Sequence, residues 1–213
     1  MKQKKSDNMR ERRSVPVCEF RADSDTDAPT IAGHAAVFDV ETDIGGMFTE
    51  IVRPGAFTRA IEEGHDVKAL FNHDDNHVLG RTRNGTLRIK EDARGLAVEI
   101  DPPNTQSGRD VVELIRRGDV SQMSYAFIVT SEKWTERKGD APVREVLDLD
   151  LYDVSPVTYP AEIATEVGLR SAESIFNDHV QSLGGPGSAG DADADDDGLG
   201  SADYQRRVNL IKL

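Results

Sequence analysis

From Ile31 to Val157 the chain is a succession of short apolar runs broken by Gly, Asn, Asp and Pro, and only two stretches carry a helical period. Apolar runs of strand length bounded by turn residues read as strands, whereas a helix needs a longer run of period 3.6. Strands are expected over 15–22, 31–38, 47–52, 67–71, 95–100, 122–130, 133–137 and 143–157. Asn84-Gly85 between 78–83 and 86–90 predicts a tight hairpin, since both turn residues tolerate positive φ. Pro54, the one-faced set Ala56, Phe57, Ala60 and Ile61, and the stop at Gly64 predict a short helix. A second is expected from an N-cap at Ser107, with Asp110 three residues on, through Val111, Leu114 and Ile115 to Gly118. Strands outnumber helices and their connections are short, so the expected fold is a strand-rich α+β domain: a partly closed β-barrel flanked by a few helices.

The 213 residues divide into a polar N-terminal tail at 1–14, a body at 15–170, and an acidic flexible tail at 171–213 with a short amphipathic end around Arg206, Arg207, Leu210 and Ile211. Asp193 to Gly198 imitates the start of a calcium loop, but Tyr204 stands where the bidentate Glu is needed, and the run reads as solvated linker. Thirty-nine acidic against 26 basic side chains give a net charge of −13, which opposes a phosphate backbone and argues against a nucleic-acid partner. The single cysteine, Cys18, makes neither an intramolecular disulfide nor a cysteine-based zinc site, which suits a reducing compartment. With no apolar stretch of signal or membrane-span length, a cytoplasmic protein without a membrane partner is expected.

Nucleophilic catalysis by a hydroxyl needs a base within hydrogen-bond reach and a third group to hold that base. Ser124 lies in the apolar run Gln122-Met123-Ser124-Tyr125-Ala126-Phe127, where a hydroxyl is either buried structure or an aimed nucleophile. His73 follows the strand at 67–71 in Asn72-His73-Asp74-Asp75, a sequence that also suits a plain turn. His77, Asp74 and Asp75 beside it raise divalent-metal binding as a rival, although no helix puts His73 and His77 on one face.

Five blocks in order resemble the tailed-phage prohead, or capsid maturation, proteases, which are similar in fold and catalytic layout to the herpesvirus assemblins. They are Gly33-His34-Ala35-Ala36-Val37-Phe38; Ile51-Val52-Arg53-Pro54-Gly55-Ala56-Phe57; Ala69-Leu70-Phe71-Asn72-His73-Asp74 with Val78-Leu79-Gly80-Arg81-Thr82; Met123-Ser124-Tyr125-Ala126-Phe127; and Leu151-Tyr152-Asp153-Val154-Ser155-Pro156-Val157-Thr158-Tyr159-Pro160-Ala161. The resemblance implies an assemblin-like barrel, a catalytic histidine at His73 and a catalytic serine at Ser124, with His77 a bystander and no cofactor. For the third member the strand at 143–157 offers Glu145, Asp148, Asp150 and Asp153, and register against the second histidine of assemblins favours Asp148. In a strand Asp148 and Asp150 share a face and Asp153 takes the other, so Asp150 competes with Asp148. The arginine cluster of assemblins after this strand is missing, which leaves Arg81 or backbone N–H groups near Ser124 as oxyanion stabiliser.

The resemblance further implies a serine endopeptidase acting in the host cytoplasm inside the assembling prohead. Its protein substrates would be the scaffold, the major capsid protein and its own chain; a homo-oligomer is compatible with all of this. The rivals are a metal-dependent hydrolase at His73 and His77, and a non-catalytic assembly or scaffold protein.

Overall fold

Two long strands in succession organise the fold. The structure, a computed structural model, describes residues 10–15, 21–22, 29–159 and 166–183. Its strands are β1 (Glu11–Val15), β2 (Arg21–Ala22), β3 (Ile31–Val37), β4 (Thr42–Ile44), β5 (Phe48–Val52), β6 (Lys68–Phe71), β7 (Asp74–Arg81), β8 (Leu87–Glu91), β9 (Gly95–Ile100), β10 (Gln122–Thr135) and β11 (Val143–Val157). The helices are α1 (Thr58–Glu62), α2 (Gln106–Arg117) and α3 (Glu166–Ser182). Contacts divide the chain into a larger unit of residues 1–40, 52–132 and 146–162, and a smaller one of 41–51, 133–145 and 163–213.

In the larger unit one sheet runs β1, β10, β11, with β6 parallel to β11 and β7 antiparallel to β6. A second sheet runs β2, β3, β9, β8. Both contribute to one core: Ile31, Leu87, Leu96, Val98 and Ile100 from the second meet Ala69, Leu79, Met123, Tyr125, Phe127, Leu149 and Leu151 from the first, with Val111, Val112 and Ile115 of α2. Each large aliphatic or aromatic side chain so buried contributes roughly 1.5–3 kcal/mol.

The strand-rich α+β expectation holds, but the sheets do not close into a barrel. Closure requires backbone pairing from strand to strand all the way round. At the point where β7 could hand over to β8, the Asn84-Gly85 hairpin does not form. A 3-10 turn at Thr82–Asn84 intervenes, β7 pairs with β6, and β8 pairs with β9 in the other sheet. The two sheets are joined by side-chain packing instead.

Several element boundaries also depart from expectation. Of the strand expected at 15–22 the described residues show only the ends: β1 begins earlier, at Glu11, and β2 covers Arg21–Ala22. The strands at 122–130 and 133–137 are one, β10. Pro54 does not open α1, which starts at Thr58; the Glu91 carboxylate accepts from the Gly55 N–H (3.1 Å), the Phe57 N–H (2.7 Å) and the Thr58 hydroxyl (3.0 Å), supplying negative charge at the helix start. α2 is capped by Thr105, not Ser107, its hydroxyl oxygen accepting from the Gly108 N–H at 3.2 Å. Gly108 is required there, because a Cβ would stand 2.1 Å from the Pro103 carbonyl oxygen.

In the smaller unit, the β4–β5 hairpin and α3 share a second core of Ile44, Met47, Phe48, Ala172 and Phe176, with Trp134 packed against it. Arg144 and Glu50 form a buried ion pair at 2.9 Å. α3 replaces part of the flexible tail expected from 171 onward. The expected linker beyond Gly184, the calcium-like run, the amphipathic end and Cys18 lie outside the described residues.

Candidate active site

Ser124 is aimed by what precedes it. α2 ends at Gly118 in the left-handed conformation (φ 81°), which reverses the chain, and Val120 N–H bonds back to Leu114 C=O at 3.2 Å before β10 begins. In β10, Met123, Tyr125 and Phe127 enter the core, so Ser124 faces the opposite side of the strand. Its side chain is nonetheless wholly buried, at 0% exposure.

His73 is held by an uncommon turn. β6 and β7 are joined through Asn72 and His73, both at positive φ (54° and 56°), the condition that a tight type I′ hairpin turn places on its two central residues. Non-glycine residues adopt this conformation only when the surroundings fix it. Here Asn72 N–H donates to Pro156 C=O (3.0 Å), while the Asn72 side-chain oxygen accepts from the N–H (2.9 Å) and hydroxyl (3.2 Å) of Thr158. The turn is thereby fastened to the end of β11.

The two side chains meet. His73 Nε2 lies 2.7 Å from Ser124 Oγ, and His73 Nδ1 lies 2.5 Å from Asp153 Oδ1 on β11. Asp153 Oδ1 also accepts from the Ser155 hydroxyl at 2.8 Å. Asp153 is 3% exposed and the His73 side chain 7%, so the carboxylate sits where an unpartnered charge would be costly. Serine, imidazole and carboxylate, drawn from β10, the β6–β7 turn and β11, are thus linked in one hydrogen-bonded line.

The carboxylate in that line is not the one expected from the sequence. Asp148 accepts from Arg59 Nε (2.7 Å) and from the Thr130 hydroxyl (2.9 Å), and Arg59 reaches on to Asp150 (2.7 Å). Burial pushes the Asp148 carboxyl up, but its bonds to Arg59 and Thr130 outweigh this and hold it below the ordinary value. Glu145 pairs with Lys133 at 3.3 Å. Val154 joins the apolar core, which turns its neighbour Asp153 to the face that Ser124 takes on β10, whereas Asp148 and Asp150 are half-buried and held by Arg59. A carboxylate in the apolar setting of Tyr152, Val154 and Val157 must be partnered if buried, and that setting was the sign in the sequence for Asp153.

The other residues singled out earlier fall elsewhere. His77 pairs with Asp74 at 3.0 Å at the surface, and among the described residues no three His, Cys, Asp or Glu side chains converge as a metal site would need. Both ring nitrogens of His73 are already engaged within the line. Arg81 forks onto Asp66 (2.6 and 2.5 Å) and pairs with Lys68 at the far end of the β6–β7 hairpin from the His73 turn, roughly 10 Å away at the rise of a strand.

A buried Asp–His–Ser line is the constellation of acyl-transferring hydrolases, recognised by geometry rather than chain order. The family model described as caudovirus prohead serine protease matches residues 17–178. The chain belongs to that family. It is accordingly a serine protease of the kind that phages use in prohead maturation. No curated protein matches the chain. Among solved structures it is similar to the bacteriophage T4 capsid assembly protease gp21, at 10% identity and a TM-score of 0.44, covering 69% of this chain and 98% of that one. No described helix of this prohead protease family member is long and apolar enough to cross a membrane.

Proposed function

We propose that the chain is the endopeptidase that cleaves scaffold and major capsid protein, and its own chain, inside the assembling prohead, with Ser124, His73 and Asp153 as its catalytic residues. The observation that carries this reading is the continuous line from Asp153 Oδ1 through both nitrogens of His73 to Ser124 Oγ. Asp153 accepts from Nδ1–H, which leaves Nε2 as the basic nitrogen facing the hydroxyl. His73 takes the Ser124 proton as Oγ attacks the peptide carbonyl, and returns it to the leaving amine as the C–N bond breaks. Water, deprotonated by the same nitrogen, then hydrolyses the acyl-enzyme. The buried Asp153 charge stabilises the imidazolium formed in both steps.

Co-expression with the cognate capsid and scaffold proteins tests the assignment. Intact masses should show trimmed capsid protein with the unaltered protease and full-length capsid protein with Ser124→Ala. Normal trimming by Ser124→Ala would remove Ser124 from the mechanism.

A further inference from the structure

The side chain of Asn72 completes a strand pairing that the backbone leaves unfinished. The parallel pairing of β6 with β11 covers only Asp153↔Lys68 and Val154↔Ala69. Toward the His73 turn, Pro156 has no N–H with which to continue it. Asn72 N–H reaches Pro156 C=O at 3.0 Å, and a regular parallel ladder would then bring the Thr158 N–H to the Asn72 carbonyl. Asn72 is left-handed, at φ 54°, and the Thr158 N–H goes instead to its side-chain oxygen at 2.9 Å, joined there by the Thr158 hydroxyl at 3.2 Å. The conformation alone would be met at least as well by glycine, so what asparagine adds at this position is the acceptor.

We propose that Asn72 is a positioning residue of the catalytic centre: by holding Thr158, its side-chain oxygen sets the height of His73 along β11 and so the approach of Nδ1 to Asp153. The proposal rests on the reading of Ser124, His73 and Asp153 as catalytic residues. His73 is the next residue, at φ 56°, and its ring is bonded on both sides, at 2.5 Å to Asp153 and 2.7 Å to Ser124. A slide of the turn along β11 cannot keep both bonds, and a misplacement of about 1 Å costs on the order of 10²-fold in rate. Asn72 and Thr158 are themselves exposed, where a hydrogen bond adds little to global stability. Loss of the acceptor should therefore be felt in the rate and not in folding.

The test compares labelling of Ser124 by a fluorophosphonate in the unaltered chain, Asn72→Gly, Asn72→Asp and Thr158→Val. In this reaction Oγ attacks phosphorus, its proton passes to His73 Nε2 and fluoride leaves, so the limiting rate reports the catalytic line and the half-saturating concentration reports reagent binding. Glycine keeps the turn and removes the acceptor; aspartate restores an acceptor of the same reach; valine removes the Thr158 hydroxyl but keeps its N–H. Asn72→Gly should label roughly 10²-fold more slowly at saturation, with half-saturation changed less than about threefold. Asn72→Asp should return to within about fivefold of the unaltered rate, and Thr158→Val, which keeps the shorter bond, should stay within about threefold. The proton between His73 Nδ1 and Asp153 provides a second readout: its strongly deshielded resonance should be present in the unaltered chain and Asn72→Asp and be lost or moved upfield in Asn72→Gly, at similar melting temperatures. An unaltered limiting rate in Asn72→Gly, no recovery in Asn72→Asp, or a loss that follows the unfolded fraction with the Nδ1 resonance unchanged would overturn the proposal and leave the catalytic residues standing. An absence of labelling at Ser124 in the unaltered chain would instead refute Ser124 as nucleophile, and the proposal with it.

Discussion

Replacing Asp153 by Asn separates the carboxylate on His73 from its neighbours on the same strand. The substitution preserves shape, so the buried site should persist; the Oδ1 position serves both His73 Nδ1 and the Ser155 hydroxyl, and the amide places either its oxygen or its nitrogen there. What changes is charge and tautomer. For charge centres about 4 Å apart at an effective dielectric of about 20, the lost stabilisation of imidazolium is on the order of 4 kcal/mol. If the new amide turns its N–H toward Nδ1, the ring must carry its proton on Nε2, where it cannot accept from Ser124; the equivalent change in a chymotrypsin-type triad costs about 10⁴-fold. A fall in kcat of roughly 10³- to 10⁴-fold on a capsid-derived peptide is therefore expected, with the melting temperature measured alongside. Asp148→Asn is the control, since its 28%-exposed carboxylate serves Arg59 and Thr130; an effect below about 1 kcal/mol, or fivefold, is expected. Equal losses in the two variants would refute the assignment of Asp153.

His73→Ala should abolish turnover, and combining it with Ser124→Ala should cost no more than either alone, because parts of one unit fail together; additive losses in single-turnover assays would contradict this. Gly108→Ala should destabilise by about 1–3 kcal/mol in urea, because its Cβ would meet the Pro103 carbonyl at 2.1 Å; an unchanged midpoint would mean the α2 start relaxes freely. The Asp148 carboxyl, held below its ordinary value against the opposing effect of burial, contributes stability that is present above the ordinary carboxylate range and lost as pH falls through its lowered value. Melting curves of the unaltered chain and Asp148→Asn should accordingly differ at neutral pH and converge in acid.

Much of the fold was legible because local signals and tertiary context agreed. The stretches at β3, β6 and β9 are apolar runs between turn residues, and the body of α2 buries the predicted face of Val111 and Ile115. His73 and Ser124 were legible only as a pair with order and spacing, since each alone suits a turn or a buried hydroxyl. The meeting of Asp153 with His73 was missed because register was taken from a family likeness, and because the period of 2 set by Leu149 and Leu151 does not continue to Val154, which also enters the core. The Asn84-Gly85 signal is genuine turn chemistry, with Gly85 at φ 72°, but which strands pair across it is decided by two different sheets, a long-range matter. α3 was hidden by composition: Ala172, Ile175, Phe176, His179 and Val180 recur at helical spacing, yet the Gly, Ser and Asp-rich run begins just beyond them. The contact of β1 with the nucleophile has no local sign in Glu11-Arg12-Arg13-Ser14-Val15, because it depends on a partner more than a hundred residues away.

Trapping the acyl-enzyme shows whether Ser124 Oγ is the attacking atom. The protease is mixed with a capsid-derived peptide ester, quenched in acid, digested, and the modified residue located by tandem mass spectrometry. An acyl adduct is expected on Ser124 in the unaltered chain and none in His73→Ala; an adduct at another residue, or turnover with no adduct under conditions that trap serine acyl-enzymes, would rule Ser124 out as the attacking group.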